Sequence, residues 1–370
     1  MSRIEIFSNT MGESEWEAVA RVFASRWLGT GKQCERLEKE LAETWGVKNV
    51  LLLNCCTSGL YLAPRILGLQ PGQQVIMPSV SFVASANAVM EQGGQCVFCD
   101  VDRHTLNVTA DEIEKHITSR TVGVSLLHYG GHPCDMDPIV ELCREHGLWL
   151  LEDAACAVAS TYHGQAVGTF GQAGAWSFDS MKILVMGDGG ALWLRSDADY
   201  ERGKRLRNLG LDSNYGSDKV GKASRWWEFT VSEPSSRCGS NDILAAIGRE
   251  QLRKVPAFVA ARGEIWDTYQ AMLYGVGDLT LPPEPLPGCT SSYYLYWVQT
   301  DRRDELAHHM IENGIYVTFR YLPLHLAYNT GNSLSEAEWA NEHTLCIPLH
   351  QNLTGEEVDK ITTTIRGFYA

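Results

Sequence analysis

One lysine in this sequence sits among residues that can do chemistry with it. Lys182 follows Ser177-Phe178-Asp179-Ser180-Met181 and precedes Gly187-Asp188-Gly189-Gly190. A lone loop lysine is ordinarily a solvated charge. One that forms a Schiff base needs a confined site that favours its neutral amine. Asp153 lies 29 residues earlier, where the apolar run Leu148–Leu151 ends in Glu152-Asp153 with Ala154, Ala155 and Ala157 close by. A carboxylate just beyond an apolar strand is either a solvated cap or, among small residues, a group that touches a flat ligand. Asn54-Cys55-Cys56-Thr57-Ser58-Gly59 joins a strand to a helix. Thr57 and Ser58 fall at that helix's N-terminus, where hydroxyls and N–H groups either bind phosphate or cap the helix.

Pyridoxal 5'-phosphate (PLP) makes matching demands: a lysine for its aldehyde, and an acid facing its pyridine nitrogen so that the ring can accept electrons from a carbanion. Asp153 and Lys182, with two strands between them, suit that pairing. Other motifs fail. Cys96-Val-Phe-Cys99 has no second pair at zinc spacing and reads as a buried strand. His128 and His132 enclose Gly130-Gly131, and two glycines cost a helix about 2 kcal/mol relative to alanine. Gly31-Lys32-Gln33 lacks the P-loop pattern, and no GxGxxG opens a βαβ unit. No metal site is expected.

The elements that position these residues alternate along the first two thirds of the chain. Strands are expected at Val50–Leu53, Gln74–Met77, Gln95–Phe98, Thr121–Leu127 and Leu148–Leu151. Helices are expected over Glu13–Phe23, Cys34–Trp45, Thr57–Leu67, Ser81–Glu91, Ala110–Ile117 and Asp137–His146, with Gly147 at the last one's C′ position. This rhythm implies an α/β fold with a mostly parallel sheet whose ligands bind beyond the strands' carboxyl ends. Short strands surround Trp176–Phe178 and Gly190–Arg195. Asn214 to Ser240 reads as an extended loop, and a helix runs from Asp242 to Lys254 and on towards Leu273. Prolines 282, 283, 285 and 287 mark a linker. Beyond it Tyr293–Gln299 and Tyr316–Arg320 read as strands, Asp304–Asn313 and Glu356–Phe368 as helices of a smaller α+β domain. The division is residues 1–250, a large PLP-binding domain, and 251–370, a small C-terminal domain.

The 370-residue composition narrows the rest. Lysine and arginine total 31 against 45 acidic residues, a net charge of −14. Such a chain is a poor non-specific binder of nucleic acid or anionic membrane. No run of ~18 apolar residues could span a bilayer, and the first residues carry Glu5 and no apolar core, unlike a signal peptide. The 11 cysteines are scattered and odd in number, which reads as reduced thiols in a cytoplasmic protein.

From Trp27 onwards the sequence resembles the DegT/StrS sugar aminotransferases, PLP enzymes of fold type I. The resemblance rests on Trp27-Leu28-Gly29-Thr30-Gly31, Pro78-Ser79-Val80-Ser81-Phe82-Val83-Ala84, His128-Tyr129-Gly130 with Asp135-Met136-Asp137, Glu152-Asp153-Ala154-Ala155, Lys182 with Gly187–Gly190, Leu206-Arg207-Asn208 and Pro323-Leu324-His325. It implies a large domain built on a mostly parallel seven-stranded sheet. It also implies that Lys182 holds PLP as a Schiff base, Asp153 faces the pyridine nitrogen, Phe82 stacks on the ring, and Thr57, Ser58 and Ser177 bind phosphate. The family works as homodimers with shared sites, the stretch before helix Asp242–Lys254 reaching the partner's phosphate. Three positions depart from the family pattern. Cys156 replaces a glutamine beside the cofactor hydroxyl, and a thiol is the weaker donor. Cys56 replaces a glycine. Arg237 stands where an asparagine donates across the dimer, and an arginine there can grip phosphate more strongly.

The activity that the resemblance implies moves an amino group from glutamate or glutamine to a keto sugar, expected to be nucleotide-linked. A cyclitol ketone is the alternative acceptor. Sugar dehydratases of the family carry histidine where this chain has Lys182, and a non-catalytic regulator of the same fold is the remaining rival. Arg320, Tyr321 and His325 lie where the family builds its substrate side. Arg320 either pairs with the donor's carboxylate or is a surface-strand arginine. Trp226-Trp227 either stacks on a base or sugar or packs in the core or dimer.

Overall fold

The computed structural model describes residues 3–212 and 225–370. Helices α1 (Glu13–Ser25) and α2 (Lys32–Trp45) lead into an alternation of β1 (Val50–Leu53), α3 (Cys56–Ile66), β2 (Gln74–Pro78), α4 (Val83–Glu91), β3 (Gln95–Cys99), α5 (Ala110–Glu114), β4 (Thr121–Leu127), α6 (Met136–Glu145) and β5 (Trp149–Asp153). Short strands β6 (Thr161–Tyr162) and β7 (Gln165–Ala166) precede β8 (Ala173–Ser177), β9 (Gly190–Leu194) and α7 (Asp197–Leu206). The long α8 (Asp242–Leu273) then leads to β10 (Cys289–Thr290), β11 (Tyr296–Gln299), α9 (Arg303–Glu312), α10 (Leu324–Ala327), α11 (Ser335–His343), β12 (Thr344–Ile347) and α12 (Gly355–Tyr369).

The apolar runs become a seven-stranded sheet in the order β1-β9-β8-β5-β4-β2-β3. Its pairs are parallel except where β9 lies antiparallel between β1 and β8. β1, β2, β8 and β9 are buried at every residue, the burial expected of strands covered on both faces. Gly147 takes φ 64° just past α6, its N–H on the carbonyl of Arg144, a helix ending that favours glycine. A smaller antiparallel pair, β11 and β12, forms the C-terminal layer with α9 and α12.

Several local expectations shift. The helix expected from Ser81 starts at Val83, with Phe82 extended as its N-cap residue. Tyr316–Arg320 is not a strand: Thr318 alone bridges Cys346, and the backbone then leaves β12 to bring Arg320 and Tyr321 to the sheet's carboxyl end. Residues 214–224 of the expected loop lie outside the described residues, and 225–240 holds a turn and isolated bridges. Cys96 and Cys99 both sit in β3. His128 and His132 flank a single tight turn in which Gly130 has φ 61°. Among the described residues no helix is long and apolar enough to cross a membrane.

Candidate active site

The carboxyl end of β5 is built around two neighbouring acids with different surroundings. Glu152 is fully buried and accepts N–H bonds from Gly168 at 2.6 Å, Phe170 at 2.6 Å and Gly171 at 2.7 Å. His128 Nδ1 accepts the N–H of Cys134, which leaves the ring proton on Nε2, 3.1 Å from Glu152. Glu152 therefore ties the 168–171 loop and β4 to β5. Replacing it leaves four donors unpaired, the three N–H groups and His128 Nε2: Glu152→Ala is expected to lose ~3–5 kcal/mol in urea unfolding, and a loss below ~1 kcal/mol contradicts this anchoring role.

Asp153 faces the other way, into a cavity. Its carboxylate accepts from the Ala155 N–H at 3.0 Å and from Ser85 Oγ at 3.2 Å. Burial pushes its pKa above the usual aspartate range; the Ala155 N–H, Lys182, Ser85 and His128 pull in the opposite direction.

Lys182 is carried by a loop folded back on itself. Phe178 N–H bonds the Gly189 carbonyl, Met186 N–H the Phe178 carbonyl and Lys182 N–H the Asp179 carbonyl, each at 2.8–2.9 Å. Phe178, Ile183, Leu184 and Met186 are buried and pin the loop to the core. The lysine amine emerges between Cys156 Sγ at 3.6 Å and Tyr294 Oη at 3.4 Å. The amine is thus confined. Burial opposes the charge, while Cys156, then Tyr294, Tyr321 and Asp153 outweigh it and hold the pKa well above the ordinary lysine range.

The third wall is the N-terminus of α3. Gly190 opens β9 directly beneath it: a Cβ there would lie 2.4 Å from the Cys56 nitrogen, so glycine lets the sheet approach the helix end this closely. No side chain caps α3, so its first N–H groups are left for a ligand or water.

These walls enclose about 340 Å³. Thr57, Phe82, Asp153, Ser177, Lys182, Arg320 and Tyr321 all line the space, and Cys156 adjoins it through its contact with Lys182. Phe82 is 51% exposed, its ring centre 5.6 Å from that of Tyr321. Arg320 lies over the Phe7 ring at 4.6 Å and donates to Met181 Sδ at 3.3 Å.

Three expected site residues lie elsewhere. The Ser58 hydroxyl turns to Asn54 Oδ1 at 2.7 Å and borders a neighbouring groove, because the first turn of α3 points it away from β5. Arg237 is exposed and bridges Asn208 outside the cavity. His325 is buried, held by Ser79 Oγ at 2.6 Å and Glu338 at 3.2 Å; α10 turns its ring inward, so it supports the cavity wall without facing it. Sequence reasoning missed Tyr294, Ser85 and the His128–Glu152 anchor. Only the acidic pair Glu152-Asp153 carried a local signal; Tyr294 precedes β11, far along the chain, in a run that reads simply as core.

The donor set fits PLP. An amine, a buried carboxylate and an uncapped helix N-terminus converge on one space with an aromatic wall. These are the partners of an aldehyde, a ring nitrogen, a phosphate and a flat ring respectively. Among the described residues no group of three or more His, Cys, Asp or Glu is placed to hold a metal ion.

Comparison with known proteins agrees with this chemistry. The model of the DegT/DnrJ/EryC1/StrS aminotransferase family matches residues 9–366. The dTDP-4-dehydro-2,3,6-trideoxy-D-glucose 4-aminotransferase of Saccharopolyspora spinosa is 45% identical over 361 residues, spanning 96% of this chain and 94% of that protein. The GDP-perosamine synthase of Caulobacter vibrioides is 31% identical, spanning 99% and 98%. The crystal structure of the aminotransferase TlmJ from Streptoalloteichus hindustanus superposes with a TM-score of 0.94 at 47% identity, covering 99% of this chain and 98% of that one.

Proposed function

This chain belongs to the DegT/DnrJ/EryC1/StrS aminotransferase family, and from that premise we propose that it moves an amino group from glutamate or glutamine to a keto-deoxysugar carried on a nucleotide. It is a PLP-dependent aminotransferase. PLP, when bound, supplies an aldehyde that takes up the donor nitrogen and a ring that holds the electron pair released at the donor's Cα.

The chain's own residues do the remainder. Lys182 first holds the aldehyde; once released, its Nζ takes the proton from the donor Cα and later delivers one to the sugar carbon that receives the nitrogen. Asp153 keeps a proton on the ring nitrogen. Phe82 covers the ring face, while Thr57, Ser177 and the first N–H groups of α3, including that of Ser58, hold the phosphate. Cys156, beside Lys182, would meet the ring hydroxyl. Arg320 pairs with the donor's carboxylate and Tyr321 closes the substrate side. The observation that carries this reading is the convergence of Lys182, Asp153 and the α3 N-terminus on one cavity.

The acceptor assignment leans on the Saccharopolyspora relative, whose name specifies a dTDP-linked trideoxy ketone. We place the enzyme in the cytoplasm as a homodimer, divided at 250/251 into a large and a small domain with α8 as the strut between them. The free thiols support a reducing compartment. The exposed Arg237, outside its own cavity, supports a reach to the partner's phosphate.

The test is incubation of the protein and PLP with glutamate and a dTDP-linked 4-keto-deoxysugar, read by mass spectrometry. A stable amino sugar and 2-oxoglutarate are expected; ammonia with a deoxy product, or no sugar product while a cyclitol ketone is aminated, contradicts the reading. In the same assay Arg320→Met is expected to raise the glutamate KM ~10-fold or more, the loss of a charged hydrogen-bonded pair, with a KM within ~2-fold of wild type counting against that role.

A further inference from the structure

We propose that Tyr294 is a positioning residue for Lys182: its hydroxyl, opposite the Cys156 thiol, cradles the lysine amine whenever that amine is free. The proposal deepens the aminotransferase reading and rests on it only for its kinetic arm.

Lys182 Nζ donates to Tyr294 Oη at 3.4 Å and to Cys156 Sγ at 3.6 Å, and it lies 4.5 Å from the centre of the tyrosine ring. Tyr294 is held on every side. It is fully buried, its ring stacks on Phe7 at 5.2 Å, and its N–H bonds the Gly130 carbonyl at 2.9 Å. The phenol therefore meets the lysine in one place.

The groups facing Lys182 come from several elements. Asp153 ends β5, Cys156 follows it, and Cys56 starts α3. Tyr321 and Arg320 come from the segment before α10, and Asp179 and Asp188 line the same cavity. A carboxylate beside the amine would lock it as an ammonium. A phenol accepts from the ammonium and donates to the neutral amine, so it can hold the nitrogen before and after each proton transfer. Burial raises the pKa of both Tyr294 and Cys156, which keeps the pair neutral and able to do both.

The experiment compares Tyr294→Phe with Tyr296→Phe, a buried tyrosine whose hydroxyl has no partner among the described residues. Full-length protein stripped of cofactor is treated with cyanate across a pH series, and carbamylation of the Lys182 peptide is quantified. Phenylalanine keeps the ring but not the hydroxyl, and the ammonium, whose hydrogen bond is charge-assisted, loses more than the neutral amine. The midpoint of the Lys182 profile is expected to fall by at least ~0.5 pH unit in Tyr294→Phe and to stay in place in Tyr296→Phe. With PLP restored, kcat is expected to fall at least ~5-fold with the donor KM within about two-fold. A Tyr294→Phe profile that overlays wild type overturns the proposal. If Tyr294→Phe does not fold, Cys156→Ala removes the other side of the cradle and must lower the same midpoint; an unmoved midpoint there overturns it equally. Cyanate labelling needs no turnover, so an inactive wild type would sink the aminotransferase reading alone.

Discussion

Lys182→Ala is expected to abolish amino transfer, lowering kcat by ~10³-fold or more, and to leave a protein without the visible absorbance of lysine-bound PLP. Two losses combine. The aldehyde loses its covalent partner, and the donor Cα loses the base that removes its proton. No neighbour can substitute. Cys156 and Tyr294 lie next to the vacated position, but burial raises both pKa values, which favours the protonated thiol and phenol and leaves neither able to accept the proton. Lys182→Arg separates the terms: it keeps a cation in the loop, but a guanidinium stays protonated and cannot take up the Cα proton, so it should be as inactive as alanine. Folding should be little affected, because Phe178, Ile183, Leu184 and Met186 anchor the loop. Activity within ~10-fold of wild type in either variant would contradict the assignment.

Asp153→Asn is expected to lower kcat by at least ~10²-fold while PLP still bonds to Lys182. The substitution changes few atoms but removes the negative charge. An amide cannot hold a proton on the ring nitrogen, so the ring loses its capacity to take the electron pair from Cα. The two hydrogen bonds from Ala155 N–H and Ser85 Oγ already point at the carboxylate. An amide nitrogen placed against the Ala155 N–H would leave a donor facing a donor, whereas the Ser85 hydroxyl can turn to accept from it. Stopped-flow spectroscopy of the donor half-reaction separates the two effects: the lysine-bound band should be present at the start and decay slowly. A half-reaction at wild-type speed would show that the carboxylate's charge is not used.

Much of this site was legible because its pieces follow apolar strands. Leu148–Leu151 announced β5 and so the carboxyl end where Asp153 sits, and Val50–Leu53 did the same for the α3 N-terminus. What failed was direction and company. Tyr316–Arg320 alternates like a strand, yet only Thr318 pairs with β12, since departure from the ladder is what delivers Arg320 and Tyr321. His325 was expected on the substrate side, but its ring turns inward because Ser79 and Glu338 offer partners that sequence separation hides. Tyr294 gave no signal at all. A tyrosine in Tyr293-Tyr294-Leu295-Tyr296-Trp297 reads as core, and its contact with a lysine 112 positions away is a property of the tertiary fold. The surroundings of the lysine amine depend on the same fold: burial pulls its pKa down, while Cys156, Tyr294, Tyr321 and Asp153, brought in from distant segments, pull it up.

The covalent bond to Lys182 is tested most directly by reducing the PLP-loaded protein with borohydride, digesting it and sequencing the pyridoxyl-bearing peptide by mass spectrometry. The account requires one dominant adduct, on Lys182 within the segment that runs from Ser177 towards Gly187. An adduct confined to another lysine, or none in a protein that retains the cofactor's absorbance, would contradict it.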